Sequence, residues 1–142
     1  MTSREAAEEA LRESDWSRAW DYLAELNGTP STEEAWLSAM EGAALGHAEA
    51  GDLRAQQTLG SLGIFRYLAG RQLDPEVLRK GLRWIVVAQR QSPVDVGLDM
   101  LVLWYRGLRA HGERDAEIEA FLSQPETKEQ YRRLRGVDPL SE

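Results

Sequence analysis

Apolar residues recur at helical spacing along almost the whole chain. In WSRAWDYLAEL, Trp16, Ala19, Trp20, Leu23 and Leu26 fall on one face of a helix. The same period carries Trp36, Met40, Ala43, Ala44 and His47, then Leu59, Leu62, Ile64, Phe65 and Leu68, then Val77, Leu78, Leu82, Trp84, Ile85 and Ala88. Residues 94–108 are apolar on nearly every side, the pattern of a helix lying between neighbours. Shorter helices are expected at 116–122 and 127–135, with a frayed tail over 136–142.

Start and stop signals agree with these segments. Ser3 is expected to cap EAAEEALRE, and Asp15 or Ser14 the second helix. Asn27 and Gly28 form a stop, Ser31 or Thr32 caps the third helix, Gly51 ends it and Asp52 caps the fourth. Gly70 breaks that helix, and Asp74-Pro75 and Ser92-Pro93 each read as a cap followed by a first-turn proline. WIVVAQ and MLVLWY are rich enough in β-branched and aromatic residues to be strands. Each lies inside a longer helical run opened by a proline signal and lacks hairpin turn chemistry, so the fold is expected to be all-α.

The fourth helix raises a question, because Gly60 and Gly63 stand inside it beside Ala55 and Ala69. A helical glycine costs about 1 kcal/mol against alanine. Close approach of a neighbouring helix would offset that cost. Gly60, Gly63 and Gly81 are then expected as notches, filled by Phe65, Trp84 and Trp104.

The chain also resembles itself. At an offset of 39 residues, Leu59 aligns with Leu98, Leu62 with Leu101, Ile64 with Leu103 and Phe65 with Trp104, about the length of one helical hairpin. Ala48, Gly51, Asp52, Ala55, Leu59, Gly60, Gly70, Leu73, Asp74, Gly81, Trp84 and Ala88 together resemble a Sel-one-like repeat, a close relative of the tetratricopeptide repeat. Gly63 stands where that family usually has Tyr, and the spacing from Asp74 to Gly81 is stretched. The resemblance implies a short right-handed α-solenoid of about three hairpins. Residues 1–47 would form a degenerate first repeat, 48–91 the best-matching one, and 92–135 a third repeat with its cap, before the 136–142 tail. It further implies a non-catalytic adaptor that binds a protein or peptide in a concave groove. Arg66, Tyr67, Tyr105, Arg106 and Arg109 would line that groove and clamp an acidic or C-terminal peptide.

Charge adds a second reading. The net charge is −7, and residues 1–50 carry eleven acidic side chains against three basic ones. Residues 51–142 carry thirteen against fourteen. A small acidic inhibitor or immunity-type protein, blocking a basic enzyme or toxin through Asp21, Glu33, Glu34 and Glu41, is therefore an alternative. A structural self-assembling unit, in its simplest form a homodimer, is another. The acidic balance and the absence of a basic, aromatic-interleaved stripe argue against nucleic acid.

With no cysteine, the chain can form neither disulfides nor thiolate metal sites. Its acidic first residues and lack of a long apolar run point to a bacterial-type cytoplasmic protein with no membrane partner. Catalysis, a metal and a cofactor are not expected. His47 and His111 lie 64 residues apart near helix ends, Ser61 is not in a nucleophile elbow, and there is no phosphate loop. Asp95 and Asp99 share a helical face but have no histidine beside them.

Overall fold

In a computed structural model, residues 2–26, 30–69 and 74–141 are described. Among them the chain is all-α, with eight helices and no strand. These are α1 (Ser3–Arg12), α2 (Trp16–Glu25), α3 (Pro30–Glu49), α4 (Leu53–Ala69), α5 (Pro75–Gln91), α6 (Asp95–Ala110), α7 (Ala116–Leu122) and α8 (Pro125–Arg135). WIVVAQ and MLVLWY lie inside α5 and α6 as helix. None of the described helices is long and apolar enough to cross a membrane. The chain divides into two compact units, Met1–Leu62 and Gly63–Glu142, with the boundary inside α4.

The first unit is built on small residues. Ala7, Ala10, Ala19, Ala44, Ala48 and Ala55 are buried, which lets backbones approach around Trp16, Trp36 and Met40. Trp36 donates its indole N–H to the Ala19 carbonyl at 2.9 Å, satisfying a polar group that burial would otherwise penalise. Tyr22 stacks edge-on against Trp36 at 4.8 Å. Asp15 caps α2 and Asp52 caps α4, each through its carboxylate. Gly51 (φ 98°) takes the left-handed conformation that ends α3. The cap of α1 is Thr2 rather than Ser3, since the Thr2 hydroxyl reaches the Glu5 N–H at 3.1 Å. The Asn27-Gly28 stop and the Gly70 break lie outside the described residues, as do Leu73 and the Ser31 side chain.

The second unit surrounds a larger core that includes Leu78, Leu82, Val86, Leu98, Leu101, Val102, Tyr105, Leu108, Ile118 and Leu122. Here α5 packs on α6 and α7, and α8 on α6 and α7. Contacts between α5 and the α7 region advance together along both, from Arg79–Glu113 through Arg83–Glu117 to Arg90 over the Phe121 ring. The bonds from Gln130 to Asp95 and from Arg135 to Asp99 do the same for α6 and α8. Both pairs of helices therefore run parallel.

Three expectations are corrected in this unit. Ser92 does not start α6; it closes α5, its N–H bonding to the Ala88 carbonyl. The α6 cap position is Val94, whose N–H is taken by the side chain of Gln89 at 3.0 Å. The notch is also filled differently. A Cβ at Gly63 would stand 2.5 Å from Gly81 Cα, so the two glycines meet backbone to backbone, while Phe65, Trp84 and Trp104 are only half-buried. Finally, the tail is not frayed up to Ser141. Pro139 is buried, Leu140 packs on the core, and Arg106 and Arg109 donate to the Asp138 and Leu140 carbonyls.

Candidate functional site

Helix α6 sorts its residues sharply by face. Leu98, Leu101, Val102, Tyr105 and Leu108 point into the core. On the opposite face Val96 is 71% exposed and Leu103 65%, although both are large and apolar. Gly107 and Ala110 continue this face in the open, and half-buried Met100 lies between them and Val96. These five positions follow helical spacing, so an uncharged stripe runs the length of α6. Its flank is occupied by Asp95 and Asp99, which bond to Gln130 and Arg135 of α8. The Arg135 guanidinium, hydrogen-bonded to Asp99, holds that carboxyl below its ordinary range. Asp95 and Asp99 thus serve helix pairing and do not form a carboxylate dyad.

At the C-terminal end of α6 lies a recess of about 350 Å³ lined by Arg106, Arg109, Ala110, Arg114 and Ser141. Arg106 lies over the Tyr131 ring at 5.8 Å and donates to the Asp138 carbonyl at 3.3 Å. Arg109 donates to the Leu140 carbonyl at 2.9 Å. Arg114 pairs with Glu119 at 3.3 Å at an exposed position.

The structure therefore brings together two of the five residues the sequence suggested for a groove, Arg106 and Arg109. It adds Arg114 and Ser141, which come from the loop after α6 and from the tail and carry no periodic signal. Arg66 and Tyr67 are half-buried near the end of α4, Tyr67 packing on the core, and neither lines the recess.

Tyr105 is a correction to the expected ladder. It is 1% exposed and cannot present its ring to a partner. Its hydroxyl accepts from the Asp115 N–H at 2.8 Å and donates to the Glu119 carboxylate at 2.8 Å. The phenol instead ties α6 to the start of α7, in a core that would otherwise leave that N–H unpaired. Burial, with Glu119 beside it, pushes the Tyr105 phenol up to about 12.

Because the folded chain holds this proton more tightly than the unfolded one, the contribution is intact below pH ~10 and is lost between there and pH 12. Tyr105→Phe is expected to destabilise the second unit by about 1–3 kcal/mol at neutral pH. It should also flatten the fall in stability above pH ~10. Urea unfolding across that range, wild type beside variant, tests both; parallel pH curves would contradict the assignment.

The remaining polar candidates have structural partners. His47 lies 3.3 Å from the Ser14 hydroxyl and edge-on to Trp16, and His111 is the C-cap of α6. Among the described residues, no group of three or more His, Asp or Glu side chains is placed to hold a metal ion. Compared with known proteins, the chain matches no family model, no curated protein and no solved structure.

Proposed function

We propose that this chain is a non-catalytic protein-interaction module that binds a segment of a partner protein along the exposed stripe of α6. The observation that carries this reading is the placement of Val96 and Leu103, both well exposed, on the helix whose other face is the most deeply buried in its unit. Covering them would contribute about 1.5–3 kcal/mol per side chain, a driving force that solvent exposure leaves unused. The parallel pairs α5/α7 and α6/α8 support stacked hairpins, and with them a short α-solenoid of the Sel-one-like or tetratricopeptide-like kind. In such a stack α4, α6 and α8 would face one groove, with Arg66, Tyr67, Arg106 and Arg109 toward it.

A photo-crosslinking residue at position 103 tests this in cells, beside the same residue at the exposed position of Glu126 on α8. A discrete adduct is expected from position 103 alone, and Val96→Asp should abolish it with a stability change within about 0.5 kcal/mol. Equal adducts from both positions, or none, would remove the stripe as a binding face.

The acidic first unit favours a second reading, an inhibitor of a basic protein, because Asp21, Glu34 and Glu41 are exposed. That reading requires the adduct to come from α3 rather than α6, with association that weakens steeply as salt rises. An adduct of the chain with itself would instead identify a self-assembling unit.

A further inference from the structure

The uncharged stripe on α6 has the spacing of a helix-pairing seam. Val96, Met100, Leu103, Gly107 and Ala110 follow one another at intervals of four, three, four and three residues. That alternation is the repeat by which two helices pack along their length. The seam runs nearly the whole of a helix of 16 residues, about 24 Å long. Bulk is unevenly placed along it. Val96, Met100 and Leu103 occupy the first part, Gly107 and Ala110 the last. Val96 and Leu103 stand 71% and 65% exposed, and among the described residues nothing lies within 4 Å of a Cβ at Gly107. A projecting half is thus followed by an open notch, and a helix with both is complementary to its own reverse.

We infer that, with no other partner bound, a second copy of this chain covers the stripe, the two α6 helices packing antiparallel about a two-fold axis level with Leu101 and Val102. In that register Val96 of each copy enters the notch at Gly107 of the other, and Met100 packs on Leu103 of the other copy. On one flank, half-buried Trp104 comes beside Gly97 of the other copy. A parallel pair would set Val96 on Val96 and Gly107 on Gly107, crowded at one end and empty at the other.

Asp99 and Arg106 lie along the opposite flank of the seam. The antiparallel order brings the Asp99 of each copy near the Arg106 of the other, and it also opposes the two helix dipoles. Each of these side chains keeps a partner in its own copy, Asp99 in Arg135 and Arg106 in the Asp138 carbonyl. Charge therefore selects the direction, and the apolar seam supplies the driving force. A single helix pair of this length covers well under the roughly 1,200 Å² of a standard stable interface. The dimer is accordingly weak, with a Kd on the order of 100 µM, and a partner segment that binds the stripe more tightly displaces it. This inference rests on the stripe being the binding face, and not on the identity of the partner.

Sedimentation equilibrium of the purified whole chain, from about 10 µM to about 1 mM, is expected to show monomer and dimer in exchange. Leu103→Asp should raise the Kd more than about tenfold. Leu68→Asp, at a site 61% exposed on α4, should leave it unchanged. The chain has no cysteine, so Val96→Cys and Gly107→Cys each supply a single thiol and test the register without a buried charge. A short bismaleimide should link two chains about ten times faster in an equimolar mixture of these variants than in either alone, because the register sets position 96 against position 107.

A chain that stays monomeric throughout that range, an equal loss in Leu68→Asp, or faster linking within one cysteine variant than across the mixture would each overturn the inference. A heterologous adduct from position 103 in cells, with a monomeric purified chain, would leave the interaction reading standing and the dimer rejected. A dimer of this register with only self-adducts in cells would do the reverse.

Discussion

Asp115→Ala is expected to destabilise the second unit by about 3 kcal/mol, one of the two largest effects in this protein. The carboxylate is buried, its side chain 1% exposed, and it accepts from Arg83 at 2.7 Å and lies 3.8 Å from Arg79. Its other oxygen caps α7 through the Ile118 N–H at 3.0 Å. Loss of the cap accounts for about 1 kcal/mol. Loss of a buried ionic partner generally costs about 3–5 kcal/mol, and here that falls to about 2 kcal/mol. Arg83 is 41% exposed and can rehydrate, and Arg79 keeps Glu76 and Glu113, each at 2.6 Å. Asp115→Asn retains an oxygen for the cap and should recover about 1 kcal/mol of the loss. Native-state amide exchange in α5, α6 and α7 reads the opening of this unit directly. A loss below about 1 kcal/mol in the alanine variant would mean that the arginines are held without Asp115.

Gly63→Ala is expected to destabilise by about 2–3 kcal/mol, against the ordinary rule that alanine is the better helix former. The new methyl would stand 2.5 Å from Gly81 Cα, 3.0 Å from Gly81 N and 3.1 Å from the Val77 carbonyl oxygen. All three are backbone atoms, so no side chain can swing aside and the helices themselves must separate. Gly107→Ala is the matched control. Gly107 is exposed in the last turn of α6, and nothing lies within 4 Å of a Cβ there. That change should stabilise by about 0.5–1 kcal/mol. Urea unfolding of the two variants gives opposite signs if helix contact governs Gly63. Two stabilised variants would show that the α4–α5 approach is loose enough to absorb a methyl group.

The candidate site was legible in part. Arg106 stood out because Tyr105-Arg106 and Arg66-Tyr67 form a repeated arginine–tyrosine pair near the ends of two helices, and Arg109 because it lies beside that pair. Tyr105 belongs to the same pattern, yet its neighbour on the helix wheel is the core, and an adjacent pair in sequence points roughly 100° apart on a helix. Its hydroxyl also suited a buried acceptor and donor at the start of α7, which no local pattern marks. Ser141 reaches the recess only because the tail folds back, a contact between segments far apart in sequence, while Arg114 reaches it from the loop just after α6. The exposure of Val96 and Leu103 was hidden for a related reason. In a helix apolar on nearly every side, periodicity cannot say which face finds a neighbour.

The all-α character, the helices and the caps Asp15, Asp52 and Asp74 were legible in the chain, because spacing, glycine and proline stops and short polar caps act within a few residues of one another. Asp52, Asp74, Gly51 and Gly112 needed no tertiary partner to be read. Only the tertiary structure decided that Gly63 meets Gly81, that Gln89 rather than Ser92 serves the start of α6, and that Asp115 joins α5 to α7. Each of those depends on which helix faces arrive side by side. That choice is made by packing the whole core at once, and no single stretch of chain encodes it.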